Sequence, residues 1–237
     1  MEPIRVFIGF DKREAVAFSV LANSIQERAS RPVSITAVTL ANLRELYWRN
    51  RDPKQSTDFS FSRFLVPHLC GYNGRAIFMD CDMLCRGDIA ELWGLWDQHS
   101  AVQVVKHHYT PTTERKFLDN VQTKYEKKNW TSVMLFDCAH FHTRKLTPEY
   151  VNTASGLELH QFKWTEEDRV GELPRQWNHL VGEYPYDKDA KLVHFTIGGP
   201  YFHEYENCDY SSEWFNEYRA SMRADQLFVP RLKISSR

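Results

Sequence analysis

Short apolar runs alternate with amphipathic segments along this chain of 237 residues. Residues 4–10 have the pattern of a buried strand, residues 13–27 carry apolar side chains at helical spacing, and residues 33–40 return to a strand pattern. A strand, a helix and a second strand in this order predict a parallel crossover. Further strand patterns lie at 75–79, 101–106, 131–136 and 191–195, with helical patterns at 63–70, 89–96 and 148–154. The sequence therefore predicts an α/β fold whose central sheet is mostly parallel and flanked by helices.

The composition is that of a globular chain with balanced charge. Thirty Lys and Arg residues stand against 31 Asp and Glu residues, so the formal net charge is −1. This balance argues against a partner such as nucleic acid, which a general positive field would attract. No apolar run reaches the ~18 residues that a membrane-spanning helix needs. Five scattered cysteines are expected to be reduced thiols, which favours a cytoplasmic location. Peripheral attachment at the inner membrane face is the alternative.

Two carboxylates follow a buried strand at its carboxyl end. Asp80 and Asp82 are two residues apart, so both side chains point to the same side of an extended chain. Carboxylates this close repel each other unless a cation lies between them, and oxygen ligands suit Mg²⁺, Mn²⁺ or Ca²⁺. The alternative is a solvated turn in which one Asp caps the next helix, although Asp88 is the better cap. Ligands collect at the carboxyl ends of strands in α/β proteins, which favours the cation site.

A third candidate ligand ends the last strand pattern. His194 precedes a glycine-rich turn, and a neutral imidazole added to two carboxylates favours Mn²⁺ over Ca²⁺. The chain has ten histidines, so on spacing alone a histidine placed there by chance is the better explanation.

The segment around the two carboxylates resembles a known family. Residues 78–93, FMDCDMLCRGDIAELW, are similar to the hallmark segment of glycosyltransferase family 8, in which a strand delivers a DxD motif and the next helix ends in Leu-Trp. Other similar segments follow in the family's order, namely VFIGFD at 6–11, Ser62–Arg63 with Pro67, WTSVMLFD at 130–137, LPRQWN at 173–178, and Val193–His194 with Gly198–Pro200. The resemblance covers about residues 4–202.

The resemblance implies a GT-A fold and a single glycosyltransferase domain over residues 1–237. A donor-binding half is expected at about 1–106, an acceptor and catalytic half at about 107–203, and a helical tail at 204–237. The implied reaction transfers a sugar from a nucleotide sugar, with UDP-sugar as the first choice, and retains the anomeric configuration. The acceptor is expected to be a hydroxyl of a carbohydrate or a lipid-linked molecule. The sequence leaves association into a homo-oligomer open.

The resemblance also implies roles for individual residues. Asp80, Asp82 and His194 match the family's metal ligands, with Mn²⁺ as the usual ion and Mg²⁺ as the alternative. Gln161 and His160 are the implied catalytic residues: Gln161 matches the residue that faces the reacting sugar carbon, and His160 stands where the family has Asp. The residues implied in nucleotide binding are Ile8, Gly9, Phe10, Asp11, Arg63 and Cys81, and those implied in phosphate or acceptor binding are Ile197, Gly198, Gly199 and Tyr201.

Three of the nucleotide-binding residues carry more detailed expectations. Asp11 is expected to accept a hydrogen bond from a uracil-like imide, while Phe10 or Ile8 would flank the base. Cys81 lies between the two carboxylates, and its thiol is expected to point into the sheet.

Two departures from the family pattern keep other functions open. Pro200 stands where the family has a lysine that helps to neutralise the diphosphate, and backbone N–H groups at 197–199 are one possible substitute. The missing lysine and the altered pair at 160–161 would suit a non-catalytic module that binds a nucleotide or a sugar. A sugar nucleotidyltransferase is the other alternative, although residues 9–13 match its glycine-rich phosphate loop poorly.

Overall fold

The computed structural model describes residues 2–52, 55–108 and 127–222, and the backbone of residues 115–116 and 120–121. The strands in these ranges are β1 Ile4–Gly9, β2 Val33–Val38, β3 Arg75–Met79, β4 Met83–Cys85, β5 Val102–Val104, β6 Arg115–Lys116, β7 Asn120–Val121, β8 Val133–Asp137, β9 Val170–Glu172, β10 His179–Leu180 and β11 Leu192–His194. The α-helices are α1 Ala15–Arg28, α2 Val66–Leu69, α3 Ile89–Gly94, α4 Pro148–Thr153, α5 Gly156–His160 and α6 Ser211–Ser221.

The main sheet has six strands in the order β2-β1-β3-β8-β5-β9. Strand β1 is parallel to β2 and β3, and β5 is parallel to β9, whereas β8 is antiparallel to both of its neighbours. The central strands β3 and β8 are buried along almost their whole length, as expected for a sheet covered on both faces. The predicted α/β class with a mostly parallel sheet is therefore confirmed.

A second sheet of three strands, β10-β11-β4, brings the late part of the chain to the end of β3. Strand β11 runs antiparallel to β4, with His194 opposite Met83. The N–H of Phe195 donates a hydrogen bond of 2.9 Å to the carbonyl oxygen of Asp82. This pairing places His194 directly beside the two carboxylates that follow β3.

Helix α1 follows β1 of the main sheet and packs against β4 of the second sheet. It follows a turn at residues 12–14 that is capped by Asp11, whose side chain accepts a hydrogen bond from the N–H of Arg13. The helix contacts β4 and α6, and its buried side includes Val20, which shares a hydrophobic cluster with Trp214 of α6.

Several elements differ from their sequence-based predictions. The helix predicted at 63–70 begins as a tight turn at Ser62–Leu65 and becomes α-helical only over α2. Strands β4, β9 and β10 were not predicted, because two or three residues are too few to show a period. Strands β6 and β7 pair with each other, and the other residues from 109 to 126 lie outside the described part.

The predicted helical tail is represented by α6, and residues 223–237 lie outside the described part of the chain. Among the residues that are described, no helix combines the length and the hydropathy needed to cross a bilayer.

Gly9 at the end of β1 supports a stability prediction. A Cβ atom added there would lie 2.3 Å from the ring of Phe59, which is 1% exposed and packs against Phe78. We expect Gly9→Ala to lower the free energy of unfolding by roughly 1–3 kcal/mol through overpacking. The matched control is Gly94→Ala in α3, where nothing lies within 4 Å and alanine should be neutral or slightly stabilising. Urea unfolding measures both, and equal midpoints for the two variants would contradict this packing.

Candidate metal and donor site

Three predicted ligands come together at the carboxyl end of β3. The ligand atoms of Asp80, Asp82 and His194, called the triad below, all lie within 4.8 Å of one another. The Oδ1 atom of Asp82 is 3.4 Å from Nε2 of His194, and these two residues are 8% and 2% exposed. Two strands from distant parts of the chain therefore deliver three cation-binding groups to one buried point.

Asn178 fixes the orientation of the His194 ring. Its amide nitrogen donates hydrogen bonds to Oγ of Ser132 at 2.8 Å and to the carbonyl oxygen of Asn129 at 3.2 Å. The amide oxygen therefore faces Nδ1 of His194, 3.0 Å away, and Nδ1 must be the donor. A proton on Nδ1 leaves the Nε2 lone pair pointing towards Asp82, as in metal-binding histidines held by a second partner.

The chemistry of the triad fits a divalent cation. A lone pair on Nε2 and a carboxylate oxygen 3.4 Å apart repel each other unless a proton or a cation lies between them. Two carboxylates and one imidazole form a ligand set that suits Mn²⁺, and Mg²⁺ prefers the oxygen ligands. The triad could therefore hold either ion, with Mn²⁺ favoured by the imidazole.

Arg63 compensates the charge of the first carboxylate. Its Nη1 atom lies 2.8 Å from Oδ1 of Asp80 and also donates a hydrogen bond to the carbonyl oxygen of Thr131 at 2.8 Å. The guanidinium lies over the ring of Phe78, 5.0 Å from its centroid, and is almost completely buried. The structure thus places Arg63 behind the triad, where it orients Asp80.

Asp11 has a structural role that the sequence analysis did not identify. Its Oδ1 accepts hydrogen bonds from the backbone N–H and Nε of Arg13, and its Oδ2 accepts from Nη2 of Arg13 and the N–H of Asp58. These four bonds use all the lone-pair positions of a carboxylate, and the side chain is 0% exposed. Hydrogen bonds from Arg13 and Asp58 lower the pKa of Asp11 against the opposing effect of burial. Base recognition by Asp11 stays a prediction, and it would require one of these donors to move.

The other residues implied in nucleotide binding differ in their access to a ligand. The side chains of Ile8 and Cys81 are completely buried, so a nucleotide could reach only their backbone. Phe10 is half-buried, and its ring forms an edge contact with Phe18. Of the two residues expected to flank the base, Phe10 is therefore the one whose side chain a ligand could reach. Burial raises the pKa of the Cys81 thiol well above its usual range, as expected for an inert core cysteine.

Glu14 is a buried acid beside the triad that the sequence analysis did not select. It is 1% exposed, and its Oε1 accepts a hydrogen bond of 2.6 Å from the hydroxyl of Tyr201. Burial, and then the charge of Asp82, raise the pKa of Glu14 to about 8. Glu14 is therefore protonated at neutral pH, and its bond to Tyr201 joins the turn after β1 to the segment after β11.

Tyr201 faces inward in this arrangement. Its hydroxyl is bonded to Glu14, and its ring packs against Trp214 and Phe202. Contact of Tyr201 with an acceptor stays a prediction.

The glycine-rich segment after β11 is shaped by close aromatic contacts. A Cβ on Gly198 would lie 2.3 Å from the ring of Tyr205, and one on Gly199 would lie 2.2 Å from the ring of Tyr201. Neither glycine has a positive φ, so small size is what these positions need. The N–H groups of Ile197, Gly198 and Gly199 have no acceptor in the described ranges, and phosphate binding by them stays a prediction.

His160 and Gln161 lie where α5 ends. Nδ1 of His160 contacts Oγ1 of Thr131 at 2.7 Å, and the ring packs against Phe64. Burial, and then the charges of Arg63 and Arg49, lower the pKa of His160 to about 3, so the ring is neutral at physiological pH. Gln161 is half-buried at the last turn of α5, and its catalytic role stays a prediction.

Comparison with known proteins identifies the family. The model of glycosyl transferase family 8 matches residues 22–200. The chain belongs to glycosyl transferase family 8. The chain is also similar to Protein CDI of Arabidopsis thaliana. The two are 45% identical over 223 residues, which cover 91% of this chain and 86% of the relative.

Solved glycosyltransferase structures share the fold. The apo structure of the bifunctional glycosyltransferase WbbM superposes with a TM-score of 0.65 at 15% identity and covers 91% of this chain, which spans 49% of WbbM. GlyE of Streptococcus pneumoniae TIGR4 superposes with a TM-score of 0.61 at 11% identity, over 92% of this chain and 60% of GlyE. The galactosyltransferase LgtC, in complex with donor and acceptor sugar analogs, superposes with a TM-score of 0.59 at 9% identity, over 94% of this chain and 98% of LgtC. These structures confirm the predicted GT-A fold, and the family match confirms the glycosyltransferase class.

Asn178 supports a prediction about metal affinity. We expect Asn178→Ala to weaken Mn²⁺ binding by about tenfold to a hundredfold, because His194 loses the acceptor that fixes its ring and tautomer. Isothermal titration calorimetry with MnCl₂ measures this change. The control is Asn216→Ala on the exposed side of α6, where the amide contacts only Arg219 in the described part. Unchanged affinity in both variants would show that Asn178 does not orient the ligand.

Glu14 supports a prediction about pH. The folded protein keeps the Glu14 proton up to pH about 8, whereas the unfolded chain loses it near the ordinary value of 4.5. Between these values Glu14 therefore lowers the free energy of unfolding as the pH rises, by up to about 1 kcal/mol per pH unit, and the full penalty applies above pH 8. Glu14→Gln stays neutral, so its melting temperature relative to the wild type should increase from pH 5 to pH 8.5.

Thermal unfolding with a chelator present measures this difference without a bound metal. The matched control is Glu217→Gln, because Glu217 is also buried but forms an ion pair of 2.8 Å with Arg28. We expect this variant to lose stability at both pH values. Parallel pH profiles for Glu14→Gln and the wild type would contradict a protonated Glu14.

Proposed function

We propose that this family 8 enzyme transfers a sugar from a nucleotide sugar to an acceptor hydroxyl, with a divalent metal and with retention of anomeric configuration. UDP-sugar is the proposed donor, Mn²⁺ the proposed ion with Mg²⁺ as the alternative, and a carbohydrate or lipid-linked molecule the proposed acceptor. The single observation that carries this proposal is the triad, in which two carboxylates and an oriented imidazole meet within 4.8 Å.

The triad supplies what a diphosphate leaving group requires. Asp80, Asp82 and His194 would hold the ion, and a bound divalent ion neutralises charge on a diphosphate as the sugar bond breaks. Arg63 stays on Asp80 and keeps that carboxylate in place. The net charge of −1 does not oppose this role, because the neutralisation is local.

The segment after β11 is the proposed second contact for the phosphates. The N–H groups of Ile197, Gly198 and Gly199 belong to the segment that directly follows His194, one of the proposed metal ligands. Backbone N–H groups can bind an anion without a basic side chain, which would compensate for Pro200 in place of the family lysine.

Gln161 is the proposed residue at the reacting sugar carbon. Its amide oxygen would face the positive charge that develops there, and a fixed dipole of this kind stabilises a transition state electrostatically. His160 is neutral and hydrogen-bonded to Thr131, so we assign it to positioning α5 rather than to proton transfer. The cytoplasmic location and a homo-oligomer stay predictions.

Nucleotide titration tests the proposed function. We expect UDP to bind the wild type with Mn²⁺ present and at least a hundredfold more weakly without it, because the diphosphate loses its counter-charge. Asp82→Asn should abolish the Mn²⁺ dependence. The matched control is Asp189→Asn, the same chemical change at an exposed aspartate, which should bind like the wild type. Calorimetry gives both affinities.

Product analysis then separates the proposed reaction from its rivals. A glycosyltransferase releases UDP from a UDP-sugar, whereas a nucleotidyltransferase forms pyrophosphate. A chain that binds UDP with Mn²⁺ but releases neither product under a broad acceptor screen would be a binding module. Equal UDP affinity with and without Mn²⁺ would overturn the metal-dependent proposal itself.

A further inference from the structure

Two cysteines lie together at the end of the main sheet opposite the triad. Cys70 follows α2 and precedes β3, and Cys138 follows β8. Strands β3 and β8 are antiparallel neighbours with Arg75 opposite Asp137, so the start of one lies beside the end of the other. The N–H of Cys138 donates a hydrogen bond of 2.8 Å to the carbonyl oxygen of Gly74, which joins the two cysteine-bearing segments.

The two thiols influence each other, and a positive charge lies next to them. Each thiol shifts the pKa of the other, and the charge of Arg5 lowers the pKa of both. Arg5 is held at this place because its Nη2 donates a hydrogen bond of 2.7 Å to the carbonyl oxygen of Asn73. A thiol pair beside a fixed cation differs from the scattered, independent thiols that the sequence predicted.

The pair is asymmetric in access and acidity. Cys70 is half-buried and Cys138 is completely buried. The hydrogen bond from Cys138 lowers the pKa of Cys70, while its contact with Cys70 raises the pKa of Cys138. Thiolate character and access together determine where a cysteine reacts first, so Cys70 is the expected nucleophile.

The remaining cysteines lack this combination. Burial raises the pKa of Cys81 and of Cys85, the latter to about 12, and both side chains are completely enclosed. Cys208 is half-buried like Cys70, but burial raises its pKa to about 11. Cys208 is therefore a matched reference for access without activation.

The turn between Cys70 and β3 holds the first thiol in place. Three of its residues, Gly71, Tyr72 and Gly74, have φ values of 61°, 53° and 61°. The N–H of Asn73 donates to the carbonyl oxygen of Cys70, which closes the turn. This fixed backbone holds Cys70 in the turn whose last residue, Gly74, is hydrogen-bonded to Cys138, so the two segments that a disulfide would join are already neighbours.

We propose that Cys70 and Cys138 form an oxidative modification site, at which a hydroperoxide oxidises Cys70 and Cys138 then closes a disulfide. The Cys70 thiolate attacks the outer peroxide oxygen, the O–O bond breaks, and the products are a Cys70 sulfenic acid and an alcohol or water. The Cys138 sulfur then attacks the Cys70 sulfur, a disulfide forms, and water leaves with the Cys138 proton. Two thiols lose two electrons in total, and the peroxide gains them.

The second step is consistent with the high pKa of Cys138. The first cause of that shift is its hydrogen bond to Cys70, and the negative charge of a Cys70 thiolate also contributes. The first step consumes the thiolate and removes its contribution, while the burial of Cys138 remains. The order Cys70 first and Cys138 second follows from access, because only Cys70 is partly exposed.

Peroxide titration of the full reduced chain tests the proposal. With hydrogen peroxide as the probe, free thiols should fall from five to three, and peptide mapping should find Cys70 linked to Cys138. In the untreated chain, Cys70 should react with iodoacetamide at least tenfold faster than Cys208. Either a Cys70 no faster than Cys208, or a first disulfide between other cysteines, would overturn the proposal.

Two variants separate the two steps. Cys138→Ser should still form a sulfenic acid at Cys70, trapped by dimedone, but should form no intramolecular disulfide. Cys208→Ser should behave like the wild type in both assays. A Cys138→Ser chain whose Cys70 resists dimedone after peroxide, while its circular dichroism matches the wild type, would overturn the assignment of Cys70 as the nucleophile.

Discussion

The antiparallel pairing of β11 with β4 is the constraint on which the site depends. It joins residues separated by more than a hundred positions, and it places His194 next to Asp82 through the bond from Phe195. Without this pairing the two carboxylates after β3 would be an ordinary acidic turn. With it, the chain has a buried ligand set whose third member is oriented by Asn178.

The site collects acids in a largely buried region, and a partner or a bound proton compensates three of them. Asp11 is held by Arg13, and Asp80 is paired with Arg63. Glu14 keeps its proton and accepts a hydrogen bond from Tyr201. The position between Asp82 and His194 is then the one where an added cation gives the greatest electrostatic gain, since buried charges interact strongly.

The same arrangement relates stability to function. Glu14 and Tyr201 join the turn after β1, where the base is expected, to the glycine-rich segment, where the phosphates are expected. Gly198 and Gly199 are required by the rings of Tyr205 and Tyr201 that lie against them. Residues selected by a resemblance as ligand contacts therefore also carry packing roles, as Gly9 does against Phe59.

Local patterns in the sequence predicted much of the fold. The runs at 4–10 and 75–79 are long enough to show burial, and the spacing of Asp80 and Asp82 fixes their common side whatever the tertiary structure is. The short strands β4, β9 and β10 could not be predicted, because their pairing depends on partners distant in sequence. The antiparallel direction of β8 could not be predicted either, because it also depends on partners distant in sequence.

Residues of the site could be predicted from the sequence only where they belong to a recognisable motif. His194 was selected through the resemblance, since one histidine among ten carries little information on its own. The LPRQWN turn was noticed, but the role of Asn178 depends on contacts with Ser132 and Asn129 that no spacing reveals. Glu14 was missed because an acid near a helix start usually lies in solvent, and only the fold shows that this one is buried.

Anomalous diffraction at the manganese edge, from a crystal grown with MnCl₂ and UDP, tests the central claim most directly. The account predicts one strong peak coordinated by carboxylate oxygens of Asp80 and Asp82, by Nε2 of His194, and by diphosphate oxygens of UDP. Bound UDP with no peak at the triad, or a manganese ion held by other side chains, would contradict it.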